Sequence, residues 1–282
     1  MFIDKIDQFV RYKKTPNAIC AGALYLSELT FKSKVGVFNK TIRVYLPSNY
    51  DFNNSDNRYP VIYMCDGQNI VDKYTTQFGE WNIDEEIQKA IENNLHKGII
   101  VVGIDCPTSD EQRMNELCPS MNHLTQTERH GISYAYGDDF ASFIVNDVKP
   151  LIDKVFFTKK DKLNTGIGGS SMGGLESFFI GIKHKETFGF SLCFSPAFLL
   201  YKSEELKEEI KKINPTDLGK FYFYVGGTEF ESEFVNNMNI VFNELVNILP
   251  TNSINYVYEY KGIHHESYWQ KYFLDALLFL RP

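Results

Sequence analysis

At 282 residues, 43% of them hydrophobic and 23% charged, the chain has room for a large core and needs no disulfide or metal to fold. Its formal net charge is −7 and no basic stripe runs through it, which argues against a nucleic-acid binder. No run of about eighteen apolar residues offers a membrane span, and Met1 to Lys5 lacks a signal-peptide pattern, so a cytoplasmic protein without membrane contact is expected.

Taken in chain order, Ala21 to Lys32 and Thr41 to Leu46 alternate partly and carry β-branched and aromatic residues, as an antiparallel hairpin at a sheet edge would. The polar stretch Asn49 to Arg58 reads as a plain loop. Asp51, Asn53 and Ser55 resemble the start of a calcium loop, but Asp56 and Ile62 replace the glycine and glutamate that shape and close one. Short apolar runs then alternate with helical patterns. The runs are Val61 to Met64, Ile99 to Ile104, Leu163 to Gly168, Gly189 to Phe194, Phe221 to Val225 and Ile254 to Tyr260. The helical patterns are Ile83 to Asn93, Ala135 to Lys154, Met172 to Lys183, Ser203 to Lys212, Glu233 to Leu249 and Glu266 to Leu280. Such alternation predicts a mostly parallel sheet with helices on both faces, here as a single domain over residues 1–282. Cys106 to Gly131 reads as a long irregular loop after a central strand, placed where it would cover a site. The five cysteines are scattered, with Cys65, Cys106 and Cys193 in apolar strand-like runs as core residues. No Cys or His cluster has metal-ligand spacing, and a reducing compartment fits best.

Gly169-Ser170-Ser171-Met172-Gly173 matches G-x-S-x-G between a strand and a helix. That context makes Ser171 a candidate nucleophile. The serine must occupy a strained turn, and small residues two before and two after it let the backbone pass closely. A nucleophilic serine needs a base, and His264 and His265 follow the last predicted strand, where this architecture places one. The chain order nucleophile, acid, histidine puts the acid after Phe221 to Val225, where Glu229 leads and Glu231 is the runner-up. Two backbone N–H groups must hold the oxyanion. Met172 supplies one, and the loop Asp66-Gly67-Gln68-Asn69 the other, from Gln68 first or Gly67 second.

These phrases together resemble an α/β-hydrolase esterase family that includes feruloyl esterases, S-formylglutathione hydrolase, enterobactin esterases and mycolyltransferases. The resemblance runs from about Lys40 to the C-terminus. It rests on Val61 to Asn69, Trp81, Ile100 to Asp105, Arg113 to Leu117, Lys149 to Asp153 and Phe194 to Phe198. It rests also on Gly226-Gly227-Thr228-Glu229, one residue out of the family's register, and on Gly262-Ile263-His264-His265-Glu266 with Trp269. The last phrase selects His264 as base and puts His265 at a family Asn position. The resemblance implies hydrolysis of a small-molecule carboxylic ester through an acyl-enzyme, without metal or cofactor. Acyl transfer or thioester cleavage would use the same elbow. The Asp-Gly-Gln-Asn loop is most similar to the siderophore and feruloyl side of the family, which would bring an aromatic acyl or catechol group to stack on Phe or Tyr near the site. Trp81 and Tyr134 are candidate substrate contacts, while Tyr134 and Tyr136 fit a helix N-terminus packed in the core equally well. Arg113 is expected either to hold an anionic part of the substrate or to pair with Glu116.

Overall fold

In the computed structural model, residues 2–12, 21–76, 78–120, 132, 134–230 and 232–280 are described. The first strands are β1 (Lys5–Ile6), β2 (Phe9–Arg11), β3 (Gly22–Ser33) and β4 (Gly36–Pro47). Six more follow: β5 (Val61–Cys65), β6 (Ile100–Ile104), β7 (Thr165–Ser170), β8 (Phe190–Phe194), β9 (Lys220–Gly226) and β10 (Ile254–Glu259). They form one sheet in the order β1-β2-β3-β4-β6-β5-β7-β8-β9-β10. The strands from β6 to β10 across the sheet run parallel. β1 to β4 add an antiparallel edge, and β4 meets β6 antiparallel. The mostly parallel α/β-hydrolase architecture with an antiparallel N-terminal edge is therefore present.

The parallel strands are buried on both faces because helices cover both. The first helices are α1 (Ile83–Glu92), α2 (Asp110–Glu116), α3 (Gly137–Phe143) and α4 (Lys149–Val155), followed by α5 (Met172–Lys183), α6 (Ser203–Lys211), α7 (Ser232–Val246) and α8 (Glu266–Leu280). Val61, Tyr63 and Cys65 of β5 enter one core with α3 to α7, while Ile62 and Met64 enter the other with α1 and α8. That division is the period-two alternation of a strand, read out as two cores. Beyond β5 the chain goes to β6 on one side and later to β7 on the other. The crevice at such a reversal, outside the strands' C-terminal ends, is where open α/β sheets bind ligands.

Several local features differ from the sequence expectation. The strand before the serine begins at Thr165, because Leu163 lies exposed in a 3₁₀ turn, Lys162–Asn164. The stretch predicted as one helix from Ala135 is α3 and α4 joined by a π-helical turn, Ile144–Val148. β1 and β2 are too short to carry a periodic signal. The segment expected as an irregular loop contains α2, which Ser109 caps by accepting from the Gln112 N–H. Cys106 belongs to no strand; it follows β6 and is only half-buried.

Candidate active site

β7 ends at Ser170, and the next residue turns sharply into α5. Ser171 has φ 57° and ψ −120°, a conformation side chains rarely adopt and one that requires support from its surroundings. That support is visible: Ser171 N–H donates to the Phe194 carbonyl at 2.9 Å, and its own carbonyl accepts from Ala197 N–H at 3.1 Å. The flanking glycines are needed sterically. A Cβ on Gly169 would lie 2.7 Å from the Gly173 backbone, and one on Gly173 would lie 2.9 Å from Cys65 Cβ.

Ser171 lines a cavity of about 430 Å³ at the C-terminal ends of the central strands. His264 lines the same cavity, in the loop between β10 and α8. Its Nδ1 lies 3.0 Å from Glu229 Oε2. Glu229 is 2% exposed, and its other oxygen accepts from Ser195 Oγ at 2.6 Å and from the Gly226 N–H at 2.8 Å. Trp269 Nε1–H in turn donates to Ser195 Oγ at 2.8 Å. The carboxylate thus has a partner on each oxygen, as a buried charge requires. The His264 ring is enclosed by Phe230, Phe234 and Trp269, with centroids 4.6, 5.6 and 5.0 Å away. His265 also lines the cavity, but its Nδ1 is engaged by Ser267. Glu231, the alternative acid, lies outside the described residues.

The loop after β5 approaches the serine from the other side. Asp66 is left-handed, φ 55° and ψ 49°, and opens a 3₁₀ turn, Gly67–Asn69. The first bonds of that turn are Asn69 N–H to Asp66 O and Ile70 N–H to Gly67 O, so the Gly67 and Gln68 amides precede its hydrogen-bonding register. Met172 opens α5 and is likewise a first-turn amide. Gly67 is packed against β6; a Cβ there would meet the Gly103 backbone at 2.6 Å. The Gln68 side chain reaches across to Cys106, accepting from its N–H at 3.2 Å and donating to its Sγ at 3.0 Å.

Arg113 lines the cavity, yet its guanidinium is committed to Asp66. Nε donates to Oδ1 and Nη2 to Oδ2, both at 2.7 Å. Burial opposes ionisation of Asp66, and Arg113 outweighs it, so the carboxyl is held below its usual range. The expected pairing of Arg113 with Glu116 does not form. Glu116 is buried and bonded to Lys40 instead, and burial raises it to about 7. Arg43 similarly grips Asp105, at 2.6 and 2.8 Å.

Two further expected contacts are absent from the cavity wall. Trp81 is 2% exposed and packs edge-on to Phe194 and against Trp269 in the core, so it shapes the site only from behind. Tyr134 is exposed on the surface and does not line the cavity, while Tyr136 is core and stacks on Phe38. Sequence reasoning left Ser195 and Glu266 without a role and gave Asn69 none beyond bracing its loop. Ser195 and Trp269 had a signal in the Ser-Pro-Ala-Phe segment and in the Trp five residues after His264. Among the described residues, Glu80, Asp84 and Glu85 have carboxylates within 4.8 Å of one another, close enough to share a cation. None of the three lines the cavity. No helix of the described residues is long and apolar enough to cross a membrane.

Comparison with known proteins agrees with this architecture. The chain is similar to an endo-1,4-beta-xylanase/feruloyl esterase of Xylanibacter ruminicola, 27% identical over 186 residues, 65% of this chain and 23% of that protein. It is also similar to YbbA of Bacillus subtilis, an uncharacterized protein, 26% identical over 155 residues, 54% of each. The chain therefore spans about a quarter and about half of the lengths of these relatives. Among solved structures, the enterobactin esterase FES of Shigella flexneri superposes with a TM-score of 0.69 at 17% identity, covering 90% of this chain and 58% of that one. A ferulic acid esterase gives 0.66 at 14%, covering 91% and 97%. BES of Bacillus cereus gives 0.66 at 22%, covering 95% and 99%. At these identities the likeness is one of fold. The family model described as "Putative esterase" matches residues 38–280, and the chain belongs to that esterase family.

Proposed function

We propose that the protein hydrolyses a carboxylic ester through an acyl-enzyme formed on Ser171, with His264 as base and Glu229 as its orienting acid. The observation that carries this reading is the arrangement at His264: Glu229 occupies Nδ1, and the imidazole lines the same cavity as the strained serine. With Nδ1–H donated to Glu229, Nε2 is free to take the Ser171 Oγ proton as Oγ attacks the ester carbonyl. The resulting oxyanion is held by the Met172 and Gln68 N–H groups, with Gly67 as the alternative donor. Collapse breaks the ester C–O bond, and His264 returns the proton to the departing alcohol. A water then gives His264 a proton as its oxygen attacks the acyl carbon, and Ser171 leaves reprotonated. The exposed Phe78 and Phe230 line the cavity and suit an aromatic acyl group, as in feruloyl or siderophore-type esters.

The test is turnover of p-nitrophenyl butanoate by the wild type and by Ser171→Ala. Activity should fall by at least ~10⁴-fold, as for the nucleophile of an acting unit, with an unchanged unfolding transition. Mass spectrometry of the wild type after a fluorophosphonate should place the adduct on Ser171. Full activity in the Ala variant would refute the assignment.

A further inference from the structure

Among the described residues, the carboxylates at and near the cavity differ in their partners. Asp66 is held by Arg113 and Asp105 by Arg43, Glu229 is hydrogen-bonded on both oxygens, and the cavity-lining Asp110 is exposed to solvent. Glu266, the first residue of α8, lines the same cavity and is 4% exposed, but no cationic side chain of the described residues lies within ion-pair distance. Its carboxylate is partnered by its own backbone N–H and by Asn69 Nδ2, the latter at 3.4 Å, at the long limit of such a bond. The Asn69 carbonyl oxygen is itself buried without a hydrogen-bond partner. Asn69 also lines the cavity, 8% exposed. A buried acceptor left unpaired is costly, and a buried carboxylate without a cation more so. Two such groups sit side by side, a few residues from the proposed oxyanion donor and from His264.

We infer that Glu266 and Asn69 form a subsite for a protonated amine carried by the ester substrate. This rests on the esterase reading of the same cavity and adds the class of ester. A primary ammonium has three donors, enough for the Glu266 carboxylate and the Asn69 carbonyl together. It would also supply the positive partner that Asp66 and Asp105 obtain from arginine. The rings of Phe78 and Trp269, which line the same cavity, add faces or edges against which an alkylammonium stem can rest. Burial raises the Glu266 carboxyl, opposed by its own backbone N–H and then by the nearby His265; a bound cation would lower it again.

The experiment compares p-nitrophenyl 6-aminohexanoate with p-nitrophenyl heptanoate, which replaces the ammonium by a methyl group. The wild type should favour the amino ester in kcat/KM, and Glu266→Gln should reduce that preference ~10-fold or more, the weight of a hydrogen bond to a charged group. In parallel, propyl- to hexylammonium and the matching alcohols are titrated calorimetrically into both proteins, which reads the subsite without turnover. Ammonium binding that is stronger than alcohol binding and weakened in Glu266→Gln supports the subsite. Turnover of the heptanoate with no preference for the amine and no ammonium binding overturns the subsite and leaves the esterase reading intact. Equal binding of alcohols and ammonium ions overturns it too, in favour of a neutral hydroxyl subsite. Ammonium binding with neither ester hydrolysed would refute the esterase reading instead.

Discussion

Arg113→Met separates the two roles open to this arginine. In the structure it holds Asp66 bidentately, and Asp66 is the left-handed residue that launches the proposed oxyanion turn. Asp66 also abuts the start of α5: a Cβ on Gly173 would lie 3.1 Å from its Oδ2. Removing one partner of a buried ion pair costs about 3–5 kcal/mol, because the other charge stays buried alone. The Arg113 side chain is 24% exposed and that of Asp66 6%, which places the loss near the lower end, about 3 kcal/mol. Displacing an oxyanion donor should reduce kcat by about 10²-fold. The sign of the pH dependence follows from Asp66. Its folded pKa lies below the ordinary value, so its stabilisation is present above the unfolded pKa and is lost as pH falls through the folded one. Without Arg113, burial is opposed only by the hydrogen bond from Cys106 and by Lys40, so the carboxyl rises and the variant loses less stability than the wild type on acidification. The gap between the two urea midpoints should therefore shrink from neutral toward about pH 4. Urea unfolding at several pH values and kcat and KM on a neutral ester are the assays. Near wild-type kcat and stability with a raised KM for anionic esters alone would refute the positioning role and restore the substrate-binding one.

His264→Ala should lower kcat/KM by ~10³-fold or more and His265→Ala by far less, because Nδ1 of the latter is committed to Ser267; equal, small losses would undo the choice of base. Glu229→Gln should cost more than Glu231→Gln on the same ester, and the reverse order would move the acid. Glu176 of α5 is buried with Oε2 unpartnered, and burial raises it to about 8. Its folded pKa exceeds the unfolded one, so its contribution is full below the unfolded value and is lost as pH rises through about 8. Glu176→Gln should accordingly gain in urea midpoint relative to wild type between about pH 5 and about pH 8 and level off above, and a pH-independent difference would count against a neutral carboxyl there.

Local pattern was enough to read the alternation of strands and helices, the elbow around Ser171 and the order of serine, glutamate and histidine. Each of these is written in neighbouring residues: apolar runs of strand length, two glycines two residues from the serine, and turn residues after a strand. The same locality misled at Arg113. Its spacing to Glu116 is that of a helical ion pair, but the two point to different partners, 47 residues away in Asp66 and 76 residues away in Lys40. Buried charge selects the partner that satisfies it geometrically, and sequence spacing does not carry that information. Trp81 and Tyr134 show the same limit. An aromatic residue near a motif can face a cavity, a core or solvent, and only packing decided that Trp81 lies behind the site and Tyr134 outside it. The sequence by itself determined which residues stand at the ends of the central strands. The tertiary structure alone decided which of them meet: Ser195 and Trp269 behind Glu229, Arg113 on Asp66, and Glu266 beside Asn69. These contacts join segments distant in the chain, and their energies depend on burial, which no local window contains.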